Sequence, residues 1–303
     1  MRALLVVNPK ATTTSRRSRD LLARALRSEV ALEVAYTSRR GHAAALARGA
    51  GADGHGLVVA HGGDGTVNEV VNGLMAAPAA ARPALAVVPG GSTNVFARAL
   101  GLPCDWAEAA GVILESLRDS RSRTIGLGLA DQRYFTFCAG LGIDAAVVRR
   151  VEQARYRGRT STPALYLRTT VGRLLAGERR QEITVEVPGM KEETFATVIV
   201  QNTAPWTYLW GRPIHLSPEA SFDRGLEVVG VRTVRSLGTA GTLARILAGR
   251  GVPDGRHLRR WHDVDELTLR ADRPAPFQID GDYLGERREV RISASPEAVR
   301  VLC

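Results

Sequence analysis

The chain has 303 residues, 45% of them hydrophobic and 5% aromatic, and a formal net charge of +10. That length supplies apolar material for two cores. No run of about eighteen apolar residues marks a membrane-spanning helix, and the opening MRALLVVNPK is too short in its apolar stretch for a secretory signal, so a cytoplasmic protein is expected. The basic balance, arginine everywhere except Lys10 and Lys191, favours anionic partners such as phosphates or an acidic lipid surface; sparse aromatics argue against nucleic acid, and three scattered cysteines without C-x-x-C spacing argue against a disulfide framework or zinc site.

Taken in order, Ala3 to Val7 is an apolar run ending at Asn8-Pro9, and SRRSRDLLARALRS places Leu21, Leu22, Ala25 and Leu26 on one helical face, so a strand and a helix are expected. Val30 to Tyr36 alternates as a second strand, followed by Thr37, Gly41-His42 and a helix around Ala43 to Arg48. Leu57 to Ala60 suits a strand covered on both faces. The glycines Gly62, Gly63 and Gly65 then allow positive φ and close approach of a ligand, and Thr66 can begin a helix along Val67, Val70, Val71 and Leu74. Strand, glycine turn and helix N-terminus together form an anion site. Asp64 would repel bare phosphate and makes most sense beside a divalent cation carried by a nucleotide; a plain tight turn is the alternative. Leu85 to Val88 is a further strand, broken by Pro89-Gly90-Gly91-Ser92-Thr93-Asn94 before VFARAL. This alternation predicts a parallel sheet with helices on both faces and a ligand site beyond its carboxyl edge.

From about Arg123 the segments become short, β-rich and separated by turns, as at Tyr134 to Ala139, Glu182 to Val187, Thr194 to Gln201, Leu226 to Val231 and Leu267 to Arg270, which predicts an antiparallel second domain. Two helical insertions are expected, near Ala145 to Gly177 and Ser236 to Arg250. The first is rich in arginine, from Arg149 to Arg180, and reads either as a solvated face or as a face for anionic headgroups. Trp206, Tyr208 and Trp210 read as core or rim contacts, or as a contact with an acyl chain or membrane interface. His42 and His61 lack a third ligand at metal spacing, and His61 is expected to pack under the turn.

The two glycine turns together, GGDGTVNEVVNG at Gly62 to Gly73 and PGGSTNVFARALGLP at Pro89 to Pro103, resemble the diacylglycerol kinase catalytic family. The similarity continues through AGLGIDAAVV at Ala139 to Val148, HLSPEASFDRGLEVVGV at His215 to Val231, and QIDGDYLG at Gln278 to Gly285. The resemblance implies an α/β N-terminal domain like that of NAD kinases and phosphofructokinases, over residues 1–124 with 290–303 returning to it. It also implies a mainly antiparallel, β-sandwich-like lipid-substrate domain over 125–289, and an active site in the cleft between them. The implied activity is an ATP- and Mg²⁺-dependent phosphorylation of a lipid hydroxyl, most simply diacylglycerol to phosphatidic acid, at an anionic membrane surface that the enzyme touches peripherally. A NAD kinase, or a catalytically silent lipid- or nucleotide-binding regulator, is the alternative. Oligomeric state, a homodimer included, is not legible.

By position, the resemblance assigns the nucleotide to Asn8, Thr37, Gly62, Gly63, Asp64, Gly65, Thr66, Asn68, Gly91 and Ser92, with Asp64 also organising the Mg²⁺–phosphate end; Glu69 stays open. The family's Asp-Gly-Glu becomes Asp280-Gly281-Asp282, so Asp282 is the implied proton acceptor and Asp280 stands beside it in the catalytic segment. Aspartate is one methylene shorter than glutamate, so substrate or backbone must approach closer, on the order of an ångström. Asp-Gly is also a strong hairpin signal, and the two readings are compatible. The family's Asn-Asp-Phe-Ala-Arg is Asn94-Val95-Phe96-Ala97-Arg98 here, and Gly126 stands where a further aspartate is expected. In Asp223-Arg224-Gly225, Arg224 stands at a position of the family's metal-holding Asp-Gly pair and cannot bind a cation, so either Asp223 is the implied metal ligand with a shifted geometry or the site is empty.

Overall fold

The computed structural model describes residues 1–156, 181–232, 241, 245–246 and 254–303. The chain divides into two compact units: Met1–Leu127 with Pro296–Cys303, and Gly128–Ser295. The sequence places these divisions at 124/125 and 289/290; in the structure the returning segment starts at Pro296.

In the first unit, β1 (Arg2–Val7), α1 (Arg16–Arg27), β2 (Ala31–Tyr36), α2 (His42–Ala50), β3 (Leu57–Gly62), α3 (Asp64–Met75), β4 (Ala84–Pro89), α4 (Val95–Ala99) and α5 (Trp106–Arg118) follow one another. The four strands are parallel in the order β2-β1-β3-β4. Every residue of β3 and β4 is buried, as their unbroken apolar runs require for a sheet covered on both faces, whereas β2 is an edge with alternating exposure. The registers Val7↔Tyr36, Val7↔His61 and Gly62↔Pro89 bring the carboxyl ends of all four strands level. Val301 pairs with Leu85 and adds the end of the chain to the sheet. The core joins Leu5, Val7, Val59 and Val88 to Leu22 and Leu26 of α1 and Ile113 of α5.

Two expectations fail here. The buried face of α1 is Ser18, Leu22, Ala23 and Leu26, while Leu21 is exposed, because Leu22, Ala23 and Leu26 are the side chains that pack into the core with the strands. Helix α3 begins at Asp64, not Thr66, with Gly63 as its N-cap.

In the second unit, the residues of β5 (Arg123–Ala130) beyond Leu127 pair with β6 (Arg133–Phe135), followed by β7 (Cys138–Gly142), α6 (Ile143–Tyr156), β8 (Ile183–Glu186), β9 (Glu193–Phe195), β10 (Thr197–Gln201), β11 (Thr207–Leu209), β12 (Arg212–Ile214), β13 (Leu226–Val231), β14 (Leu258–Val264), β15 (Glu266–Ile279) and β16 (Asp282–Val301). The pairings β14-β13-β10-β7-β15-β16 are antiparallel, as expected, and β8 joins β15 to β9. Around Phe195, which meets Trp261 edge to face at 5.3 Å, the core gathers Leu141, Val200, Val228, Leu269 and Phe277. The expected strand at Tyr134 to Ala139 is two strands, interrupted at Thr136-Phe137. Most of the expected arginine-rich stretch, from Arg157 to Arg180, and the insertion near Ser236 to Arg250, apart from residues 241 and 245–246, lie outside the described residues.

Candidate active site

The sequence-derived site residues fall into two groups, one in each unit. The first group stands at the carboxyl edge of the parallel sheet, immediately after the four strands. Strand β3 runs into Gly62 and Gly63, β4 into Pro89-Gly90-Gly91, and the two turns lie against each other: the Gly90 amide donates to the Gly62 carbonyl at 2.8 Å. A Cβ on Gly91 would sit 2.7 Å from Gly63 Cα, and one on Gly62 2.7 Å from Thr66 Cβ. The glycines are therefore required by packing. The expected positive φ is absent: Gly63 is extended at φ −87°, and neither Gly62 nor Gly65 has a left-handed backbone.

Side chains fix these turns from behind. Asn8 donates from Nδ2 to Thr66 Oγ1 at 3.0 Å and accepts the Lys10 amide on Oδ1. Asn94 closes the second turn, accepting the Gly91 amide and donating to the Gly91 carbonyl at 2.8 Å. Ser92 is exposed at the tip of that turn. Thr37 follows β2 at the same edge, its amide donating to the Val7 carbonyl. Asn68 is buried one turn along α3, where Asn72 Nδ2 donates to its carbonyl at 2.9 Å and to its Oδ1 at 3.3 Å. Glu69 receives the Gly41 and Ala43 amides on its two carboxylate oxygens and so caps α2, a role its sequence position did not disclose. His61 lies fully buried beneath the turn with Nδ1 3.2 Å from the Val88 carbonyl, and burial holds its pKa below the usual imidazole value.

With Gly63 as its N-cap, α3 has no capping side chain over its first turn, where the positive end of the helix dipole lies. Asp64 is the first helical residue and its Oδ1 accepts the Phe96 amide at 3.2 Å. The neighbouring Val95 is buried, 2% exposed, and Gly126 is buried in β5, so the two positions where the resemblance expects acids carry none. Asp64 remains at this edge. One carboxylate fits a Mg²⁺ ion, which keeps most of its ligands as water and substrate phosphate.

The second group is the hairpin joining β15 to β16. Ile279 pairs with Asp282 across a two-residue turn in which Asp280 and Gly281 have φ of 48° and 78°. Both angles are left-handed, the geometry for which Asp-Gly is suited. Asp280 is buried and receives four donors: the amides of Thr136, Phe137 and Cys138 and the Thr136 hydroxyl, at 2.7 to 3.1 Å. The Thr136 and Phe137 amides lie in the break between β6 and β7 and the Cys138 amide at the start of β7, which explains why that strand is interrupted. Burial pushes the Asp280 carboxyl upward and the four donors offset part of that rise. Asp280 thus clamps the turn, and its expected place among the catalytic groups gives way to a positioning role. Asp282 begins β16 with its side chain 21% exposed and Arg133 Nη2 4.0 Å away. Gln278, buried, accepts the Gly281 amide at 2.9 Å and donates to Asp144 at 2.9 Å, which fixes the turn from its other side.

Asp223 is exposed and its amide donates to Ser221 Oγ. It is not among the side chains whose donor atoms converge within 4.8 Å here; among the described residues those are Glu219, Glu227 and His262. The buried Glu227 lies 2.6 Å from His262 Nδ1, a hydrogen bond that brings two of the three together.

The first half of the chain, residues 2–129, matches the diacylglycerol kinase catalytic domain, and residues 138–303 match the YegS C-terminal NAD kinase beta sandwich-like domain. A diacylglycerol kinase of Bacillus subtilis is 34% identical over 234 residues, spanning 76% of this chain and 72% of the relative. The chain belongs to the diacylglycerol kinase catalytic family. It is accordingly a lipid kinase. Among solved structures, a diacylglycerol kinase from Bacillus anthracis aligns over 99% of this chain and 96% of that one with a TM-score of 0.74 at 21% identity. An NAD kinase from Archaeoglobus fulgidus, in complex with ATP, aligns over 100% and 94% with a TM-score of 0.55 at 11% identity, a likeness of fold alone. Among the described residues no helix is long and apolar enough to cross a membrane.

Proposed function

We propose that the enzyme transfers the γ-phosphate of ATP to the hydroxyl of diacylglycerol, giving phosphatidic acid. The observation that carries the nucleotide half of this reading is the apposition of two glycine turns beside the α3 N-terminus at the carboxyl edge of the parallel sheet. Main-chain amides and a dipole end without a capping side chain suit a triphosphate, and bulkier residues would close the approach. Asp64 would hold the Mg²⁺ that the nucleotide carries, and the ion would neutralise charge on the phosphate oxygens.

The acceptor half rests on the β15–β16 turn. Clamped through Asp280 and Gln278, the turn presents Asp282 on a fixed backbone, and its partly exposed carboxylate is the group that accepts the hydroxyl proton. Phosphoryl transfer asks mainly for alignment and charge neutralisation, so rigid placement of one base is enough protein chemistry for this step.

The test is an acceptor panel with labelled ATP and the purified chain, using diacylglycerol, sphingosine, ceramide and NAD, the lipids in mixed micelles. Label in phosphatidic acid is expected and requires Mg²⁺. Label in another lipid replaces the acceptor, label in NAD alone overturns the lipid reading, and nucleotide binding without transfer to any acceptor favours a silent regulator.

A further inference from the structure

We propose that the β11–β12 hairpin is a membrane-docking element whose tip residue, Trp210, enters the headgroup region of a lipid bilayer. The inference rests on the lipid-acceptor reading for its choice of partner and on the hairpin itself for its geometry.

The register Leu209↔Arg212 closes the hairpin over two residues, Trp210 and Gly211, at φ of 49° and 78°. Such a turn favours Asn, Asp or Gly first, and a bulky side chain held at positive φ costs about 1–2 kcal/mol. Trp210 is also 62% exposed. An indole largely in water at a strained position is a double cost to the isolated fold. The strands of the hairpin are by contrast well seated: Trp206, Leu209 and Ile214 pack with Ile199, Leu216 and Val229. A firmly rooted hairpin therefore holds one large aromatic out into solvent.

Three features select a bilayer as the occupant. Pro213, in β12 opposite Tyr208, has no amide to donate, which discourages extension of the two-stranded sheet by a partner's strand. Tryptophan, with an apolar ring and one N–H donor, settles at the headgroup level of membranes. Arg212 lies beside the tip on a chain of net charge +10, complementary to anionic lipid. A lipid kinase without a membrane-crossing helix among its described residues must still meet an acceptor that resides in a bilayer.

The experiment uses the full chain and its Trp210→Asn variant, since asparagine suits the left-handed turn and the variant should melt at or above the wild-type temperature. Co-sedimentation with phosphatidylcholine vesicles containing phosphatidylglycerol should show affinity falling about tenfold in the variant, the loss expected when much of an indole no longer leaves water. Turnover of a short-chain diacylglycerol dissolved as monomer should stay within about twofold. Equal vesicle binding by both proteins, or no binding by the wild type, overturns the proposal; so does an equal loss of monomeric-substrate turnover, which would place Trp210 in acceptor binding. If Trp210 controls vesicle binding and no lipid is phosphorylated, the docking element stands and the assigned reaction falls.

Discussion

Asp282 and Asp144 illustrate how differently two carboxylates of one hairpin region are used. Asp282 is partly exposed at the first position of β16, near Arg133. Replacing it with alanine removes the proposed base and should lower kcat by at least about a hundredfold, the usual scale of a lost general base, while ATP binding measured by calorimetry is retained. Unchanged turnover would remove Asp282 from the reaction. Asp144 sits in α6 against Gln278, and burial raises its pKa from 3.8 to about 6. In an acid raised in this way the folded state keeps its proton while the unfolded chain loses it. The associated destabilisation is absent below pH 3.8, grows as pH rises toward 6 and is complete above it, amounting to roughly 3 kcal/mol. Asp144→Asn, which can still accept from Gln278, should therefore gain on the wild type between pH 4 and pH 7 in urea melts; a pH-independent difference would contradict the assignment. At this scale the sequence made the grouping of Asp64 with the glycines in one strand–turn–helix legible because their order and spacing are local, and Asn8 joined them through the family resemblance. It could not reveal that Asp280 gathers the Thr136, Phe137 and Cys138 amides, or that Glu69 caps α2, because those partners lie far along the chain.

The strand–turn–helix units carry the nucleotide proposal, and their weakest tolerance is at the point where two turns touch. Gly91→Ala would place a methyl 2.7 Å from Gly63 Cα and 3.0 Å from Asn94 Oδ1. The backbone must yield, and a loss of about 1–3 kcal/mol in thermal stability is expected together with at least a tenfold loss in ATP affinity. Full affinity in this variant would mean that the turns do not hold phosphate. The parallel strands were legible because β3 and β4 are short uninterrupted apolar runs between polar loops. The rotation of α1 was not, since Leu21 and Leu22 offer two adjacent choices of buried face and only packing against strands distant in sequence decides between them. Of the long ribbon of β15 and β16 only Leu267 to Arg270 and the Asp-Gly turn were legible, because Pro274, Pro276 and interspersed charges break the alternation elsewhere.

For the molecule as a whole, occupancy of the proposed nucleotide turn should appear as stabilisation. Mg-ATP at about a hundred times its Kd adds roughly 2.7 kcal/mol to whatever folded state binds it, so the melting temperature of the first unit should rise in a calorimetric scan. The Gly91→Ala variant should show little of this rise, and its absence in the wild type would count against the site. The two-unit organisation was readable from the change between alternating helices and strands and short β segments. The exact junctions were not, since β5 and β16 each run through a boundary without any break in composition.

That discontinuity has a cost in time during synthesis. Residues 296–303 belong to the first unit: Val301 pairs with Leu85, the Ala298 carbonyl accepts from Arg82 and the Cys303 carbonyl accepts from Ser116. A nascent chain leaving the ribosome therefore exposes the flank of β4 until residues 296–303 have been made, long after the rest of that sheet. Throughout that interval the growing enzyme carries an unfinished edge, and chaperone occupancy should peak there and fall once that segment has docked.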